Sequence, residues 1–548
     1  MIDLWYKNAV IYCLDVDSFF DSDGDGVGDL RGLADHLEYI EALGATCIWL
    51  LPFYPSPNRD NGYDIADYYG VDPRYGTLGE FVDFMQAAKD RGLRVIVDLV
   101  VNHSSIDHPW FQASRSDPEG KYGDWYVWSK EKPADADKGV VFPGVQKTTW
   151  TYDRKRGEYY FHRFYDHQPD LNIANPAVRE EIQRIMGFWL QLGASGFRID
   201  AAPFILEDLD KIQGTDPYAY LSELQEFLSW RESEAMLLAE ANITMDMAGE
   251  YFGSGDRLHV IFNFPLNQKL FLALARGEAE PVTAFLKELP DLPLVGQWGT
   301  FLRNHDEIDL GRLEPAEKQE VFDAFGADKS MQLYDRGIRR RLAPMLGGDE
   351  RRVAMAFSLM LSLPGTPVIW YGDELGMGDN MALSERDPVR VPMQWHPRGN
   401  GGFSAADPKT WVRPPIPDGP FSHRFVNAEA QRKDPTSLFA TIQRLIRLRR
   451  ACREIGWSPA EVVDTGEPSV IALKSQWRGG AVLTLHNLAD RPLTIDLGPA
   501  VGEGYAGRSL LHQDAELRCD ADGRCDLRLA AYGFEWLRLE EAEATAAN

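Results

Sequence analysis

Short, nearly continuous apolar runs recur along most of the chain: Ala9–Leu14, Cys47–Leu51, Arg94–Val100, Gly196–Ile199, Met236–Ala241, Val260–Phe264, Thr300–Arg303 and Val368–Tyr371. Runs of this kind predict strands buried on both faces. Amphipathic stretches lie between them, among them Asp35–Leu43, Leu78–Arg91 and Ala177–Leu192. Strand–helix alternation repeated eight times predicts an α/β fold of the (β/α)8 barrel type.

The alternation breaks in three places. From Ser104 to His162 the chain is rich in Trp, Tyr, Asp, Gly and Lys without periodicity. That is too long for an ordinary loop and predicts an inserted domain after the third strand. A second insertion, Glu314–Gly348, has helical spacing and a basic run at Arg339–Arg341. After Trp457 short alternating strands follow at Val470–Leu473, Ala481–Leu485, Leu493–Asp496 and Glu535–Leu539. The expected organisation is a barrel over 1–103 and 167–456, an inserted domain over 104–166, and a C-terminal antiparallel β-sandwich over 457–548.

Composition narrows the partners. The net charge of −27 repels phosphate backbones and argues against nucleic acid. No apolar run reaches the roughly 18 residues of a membrane span. Met1–Val10 carries Asp3 and Lys7 and lacks an apolar core, so it does not read as a signal peptide. The five cysteines show no metal-binding spacing; Cys13 and Cys47 read as buried thiols, while Cys519 and Cys525 flank a turn and can pair. This usage predicts a cytoplasmic protein. The sequence leaves a homo-oligomer open.

In such a barrel, chemistry sits at the C-terminal ends of the strands. These ends read Asp98-Leu-Val-Val-Asn102-His103, Arg198-Ile-Asp200, Glu240-Ala-Asn242 and Arg303-Asn-His305-Asp306. A lone Asp after a strand is usually a structural contact, but four such ends together point to a site. Cleaving a glycosidic bond with retention needs one carboxylate to attack and one carboxylic acid to protonate the leaving oxygen. Arg198, two residues before Asp200 and on the same strand face, is expected to keep Asp200 ionised. Glu240 is expected to stay protonated through burial and nearby carboxylates. His103 and His305 can donate to sugar hydroxyls.

These four segments, with Gln168-Pro-Asp-Leu-Asn172, resemble the signature regions of the α-amylase superfamily, glycoside hydrolase family 13, over about residues 4–450. The resemblance implies Asp200 as nucleophile, Glu240 as acid/base and Asp306 as a third carboxylate on the distorted sugar. Asp60-Asn-Gly-Tyr63-Asp64 and Arg390-Val-Pro-Met-Gln-Trp395 are similar to motifs of the α-glucosidase and trehalose-synthase groups of that family. There Asp60 and Arg390 would clamp the 4-hydroxyl of a terminal glucose, so that only a chain end enters. Leu51–Pro57, Gly337–Pro344 and Gly372–Asp379 resemble the trehalose-synthase group most. The stretches Gly214–Tyr220 and Ile243–Asp246 depart from it. They are expected over the pocket where a second glucose would sit, and their change favours hydrolysis.

The leading expectation is therefore a retaining, exo-acting α-glucosidase acting on a small α-glucoside such as trehalose or maltose. Interconversion of maltose and trehalose is the alternative. A non-catalytic carbohydrate-binding relative is the reading of another class, and the three intact carboxylates oppose it. The resemblance also implies structural Ca2+. One site would use Asp21, Asp23, Asp25 and Asp29 with the Val27 carbonyl, where oxygens fall at alternate positions. A second would use Asn102, Asp170 and Glu207 with the carbonyls of Phe204 and Ile205. No organic cofactor is expected.

Overall fold

A computed structural model describes residues 3–210, 216–498, 505–512, 516–517 and 523–541. Eight parallel strands close a barrel in sequence order: β1 (Ile11–Leu14), β2 (Cys47–Leu50), β3 (Arg94–Leu99), β4 (Gly196–Ile199), β5 (Met236–Ala239), β6 (Val260–Phe262), β7 (Gln297–Phe301) and β8 (Thr366–Trp370). The expected (β/α)8 fold is the one observed. β7 begins earlier than its apolar run because Gln297 and Gly299 are buried strand residues that dilute the pattern. Gly196 opens β4 with φ +148°, and a Cβ there would meet the Met236 carbonyl at 2.2 Å, so only glycine fits.

The helices follow local signals. Thr77 and Glu80 form a capping box at the start of Leu78–Asp90, and Asn175 caps Pro176–Gln191 with proline in its first turn. The helix expected over Asp35–Leu43 runs over Leu37–Leu43, and a separate short helix, Leu30–Asp35, precedes it. They break at His36, whose Nδ1 lies 2.8 Å from the Gly32 carbonyl oxygen and whose ring packs on Phe20 and Trp395.

After β3 the chain forms the helix Pro109–Ser116 and a three-stranded antiparallel sheet from Trp128–Ser129, Trp150–Asp153 and Glu158–Phe161. The 314–348 insertion is only partly helical. Pro315–Phe325 is followed by two short strands, Gln332–Leu333 and Gly337–Ile338, and Gly337–Ile338 lies between Gln332–Leu333 and Ile308–Asp309, antiparallel to both. Its basic run is structural: Arg341 is fully buried against Asp373 at 2.9 Å, and Arg340 pairs with Asp379 at 3.1 Å.

The C-terminal part carries a six-stranded antiparallel sheet and a two-stranded sheet, with Val470, Ala472, Leu483, Ile495 and Leu529 between them. Ile471, Leu473 and Val482, on the opposite face, join the barrel core, as the two-residue strand period requires. Cys525 is disulfide-bonded, Cys13, Cys47 and Cys452 are free thiols, and Cys519 lies outside the described residues. Among the described residues no helix is long and apolar enough to cross a membrane.

Candidate active site

The strand register places the charged groups side by side. Asp98 on β3 pairs in register with Arg198 on β4. Asp200 follows β4 and Glu240 follows β5. Ala201 takes φ +49°, an uncommon conformation for a non-glycine, and the turn lets Ala202 N–H donate to the Glu240 carbonyl at 3.1 Å. The buried Arg198 guanidinium ties the group together. It donates to Asp98 at 2.5 Å and to Asp200 at 2.6 Å, and pairs with Glu240. Asp98, not assigned a role from sequence, also accepts from Trp49 Nε1 at 3.0 Å.

Arg198 lowers the Asp200 carboxyl as expected, but one cation shared among the buried Asp98 and Asp200 and the part-buried Glu240 does not outweigh burial. Burial raises the Asp200 carboxyl to about 6, with Arg198 opposing and Asp98 and Asp306 adding to the rise. Burial raises Glu240 further, to about 7, aided by Asp200 and Asp306 against Arg198. Asp306 goes the other way: burial pushes it up, but the charges around it hold it well below the usual carboxylate range. His305 is kept neutral by burial, so the arginines Arg386 and Arg390 do this work. The result is an ionised Asp306, and an Asp200 that loses its proton before Glu240 does.

The pairing expected between Asp60 and Arg390 is made instead by Arg386, a residue the sequence reading missed. Arg386 bridges Asp60 at 2.7 Å and Asp306 at 3.0 Å. Arg390 stands one layer behind, donating to Asp306 at 2.9 Å and to the His305 carbonyl at 2.8 Å, with no bond to Asp60. Gln168 Nε2 holds the other Asp60 oxygen at 2.9 Å. Tyr63 stacks on His305 at 5.6 Å and 7°, and its hydroxyl lies 2.8 Å from His305 Nε2. His103 Nε2 lies 3.1 Å from the Tyr63 carbonyl oxygen; burial lowers its pKa to about 4, so it is neutral.

Of these groups, Asp60, Tyr63, His103, Asp200, Glu240, Asp306 and Arg386 line one cavity of about 600 Å3, whereas Arg198, His305 and Arg390, expected at the substrate, stand behind its wall. Val140, Val141 and Phe142 of the inserted domain cover it, and the Arg386 guanidinium lies 5.2 Å from the Phe142 ring centre. Part of the cavity wall is polar. Asn242 Nδ2 donates to Asp309 at 3.1 Å, and Arg336 faces Asp309 at 3.4 Å and Glu307 at 3.6 Å while donating to the Val141 carbonyl at 2.8 Å. Of the two divergent stretches expected over this end, Ile243–Asp246 and the described part of Gly214–Tyr220 do not line the cavity. Their divergence therefore does not alter the cavity wall.

The acidic loop gathers three of its expected ligands. Asp21, Asp23 and Asp29 bring one carboxylate oxygen each to within 4.8 Å of one another, a hard-oxygen set that fits Ca2+. Asp25 is not in this group; its Oδ1 accepts the Val27 N–H at 2.8 Å. The second set does not fit a metal. Asn102 donates to Asp170 at 3.1 Å, but Glu207 is paired with the Arg163 guanidinium, while the Arg163 N–H donates to Asp170 at 2.8 Å. A protein cation already neutralises Glu207, and Phe204 packs under the same guanidinium at 4.8 Å. Ile205 is buried in the core.

The model of the α-amylase catalytic domain matches residues 12–318 and 332–457, and that of the sucrose hydrolase-like C-terminal domain matches 479–538. A trehalose synthase/amylase of Mycobacterium tuberculosis is 41% identical, over 99% of this chain and 91% of its own length. A glucan 1,6-α-glucosidase of Streptococcus pneumoniae is 31% identical, over 85% and 88%. Among solved structures, the trehalose-6-phosphate hydrolase of Bacillus licheniformis superposes with a TM-score of 0.77 at 28% identity, over 98% of this chain and all of that one.

Proposed function

The chain belongs to the α-amylase family, a glycoside hydrolase and glucosyl-transferring family, and from that premise we propose that it interconverts maltose and trehalose, with hydrolysis as a side reaction. The observation that carries this reading is the lining of one cavity: it holds the Asp60–Arg386 pair, which would stop the chain, and Asn242, Asp309 and Arg336, which would offer polar partners to a second sugar. Likeness over 99% of the chain to a trehalose synthase/amylase supports it.

In this reading Asp200 attacks the anomeric carbon while Glu240 protonates the glycosidic oxygen, giving a glucosyl ester on Asp200. The higher proton affinity of Glu240 suits that division of labour. The anionic Asp306, held by two arginines, stabilises the positive charge developing on the sugar. The freed glucose stays against the polar wall, turns, and presents another hydroxyl. Glu240, now a base, removes its proton as that oxygen attacks the ester. Water entering instead gives hydrolysis, so retention of the glucose decides the product. A Ca2+ held by Asp21, Asp23 and Asp29 would serve structure by neutralising their clustered charge.

NMR product analysis with maltose and trehalose as separate starting sugars tests the proposal. Each should yield the other disaccharide in excess of glucose. Glucose as the dominant product from both would overturn it in favour of an α-glucosidase.

A further inference from the structure

Arg413 lies outside the cavity, in the segment that follows β8, and the chemistry above does not use it. It is 6% exposed. Its Nη1 donates to Asp17 at 2.7 Å and to Ser18 Oγ at 2.8 Å, and lies 3.9 Å from Asp15. Its Nη2 donates to Asn61 Oδ1 and its Nε to Asp387 Oδ1 at 3.5 Å. Two of these partners have telling places in the sequence. Asn61 directly follows Asp60, and Asp387 directly follows Arg386. The third anchor, Asp17–Ser18, is the short helix after β1, where Ser18 Oγ also donates to the Arg390 carbonyl at 3.1 Å. Asn61 sits in the left-handed region at φ +48°, which asparagine tolerates, and its Nδ2 donates to Asp15 at 2.8 Å.

We infer that Arg413 is a positioning residue that sets the separation of Asp60 and Arg386, by bracing the neighbour of each against the short helix after β1. A guanidinium suits this role because its donors have fixed directions in one plane, so three loops attached to it cannot move independently. A lysine would keep the charge among Asp15, Asp17 and Asp387 but could not hold three directions. The inference rests on the Asp60–Arg386 pair acting as the closed end of the substrate pocket.

The test is a kinetic cycle in the full-length chain on maltose, with Arg413→Lys, Arg386→Lys and both together. Arg413→Lys should fold with a melting temperature near the parent's and lose tenfold or more in kcat/KM, since misplacing a positioning group by about 1 Å costs up to about a hundredfold. The double variant should be no worse than Arg386→Lys alone, because both act through one pair. A kcat/KM for Arg413→Lys within threefold of the parent, or losses that multiply in the double variant, would overturn the inference. If Arg386→Lys is neutral, the closed-end reading falls, and the brace falls with it. If Arg413→Lys does not fold, Asn61→Gly, which keeps the backbone angle and removes one arm of the brace, takes its place in the cycle under the same criteria.

Discussion

Replacing Arg386 by alanine is the sharpest perturbation of the site. Arg386 makes two ion pairs, to Asp60 at 2.7 Å and to Asp306 at 3.0 Å, among side chains no more than 18% exposed. The two carboxylates are not equally harmed by its loss. Asp306 keeps Arg390 at 2.9 Å, whereas Asp60 keeps only the neutral Gln168 amide at 2.9 Å. Breaking a buried pair by removing one partner costs about 3–5 kcal/mol, because the remaining charge is stranded. The lower figure applies here, since part of the charge is still hydrogen-bonded. That cost falls on folding stability, about 3 kcal/mol; the loss in kcat/KM comes from misplacing the substrate at a non-reacting hydroxyl and should be roughly a hundredfold. The assay is the initial rate on maltose and on trehalose, measured separately, with circular dichroism as the control for folding. Long α-glucans should remain poor substrates, because Val140–Phe142 still cover the cavity. Kinetics within threefold of the parent on both disaccharides would refute the placement of Arg386 at the substrate.

Asp200→Asn should lower kcat by at least about a thousandfold without unfolding the protein, because the amide cannot form the ester; a purified variant retaining a tenth of the activity would remove Asp200 from the nucleophile's role. The rate should rise as pH climbs through about 6, where Asp200 ionises, and fall through about 7, where Glu240 loses the proton it must donate. The two carboxyls titrate as a pair, so a narrow bell is expected in kcat/KM, and a flat profile from pH 5 to 8 would contradict the assignment. Stripping Ca2+ with a chelator should lower the melting temperature and leave the pH profile unmoved, because a metal bound only by the folded state stabilises it by mass action; an unchanged melting curve with no bound metal by elemental analysis would dismiss the Asp21–Asp29 loop as a site.

The barrel was legible because strands buried on both faces leave long apolar runs, and Leu78–Asp90 because its buried residues Phe81, Phe84, Met85 and Ala88 recur at the helical period. The three carboxylates were legible because each follows such a run. Arg386 was not. Its partner Asp60 lies 326 positions away, and no local pattern separates an arginine that pairs with it from Arg390, which stands behind. The same holds for Glu207, which is paired with Arg163, a residue with no mark in the sequence beyond its charge. Asp25 sits in the right alternation for a ligand, yet its backbone neighbour Val27 claims it. Pattern locates which residues gather at one end of a barrel. Which cation answers which anion is decided by loops far apart in the chain.

Retention of the freed glucose is the centre of the account, and isotope exchange tests it most directly. Unlabelled maltose is incubated with the protein in the presence of excess 13C-labelled glucose, and the trehalose formed is isolated and its label content measured. A glucose held against Asn242, Asp309 and Arg336 throughout the turnover predicts trehalose essentially free of label. Trehalose carrying label in proportion to the added glucose would show that the sugar leaves and re-enters, and would contradict the closed pocket as the basis of the reaction.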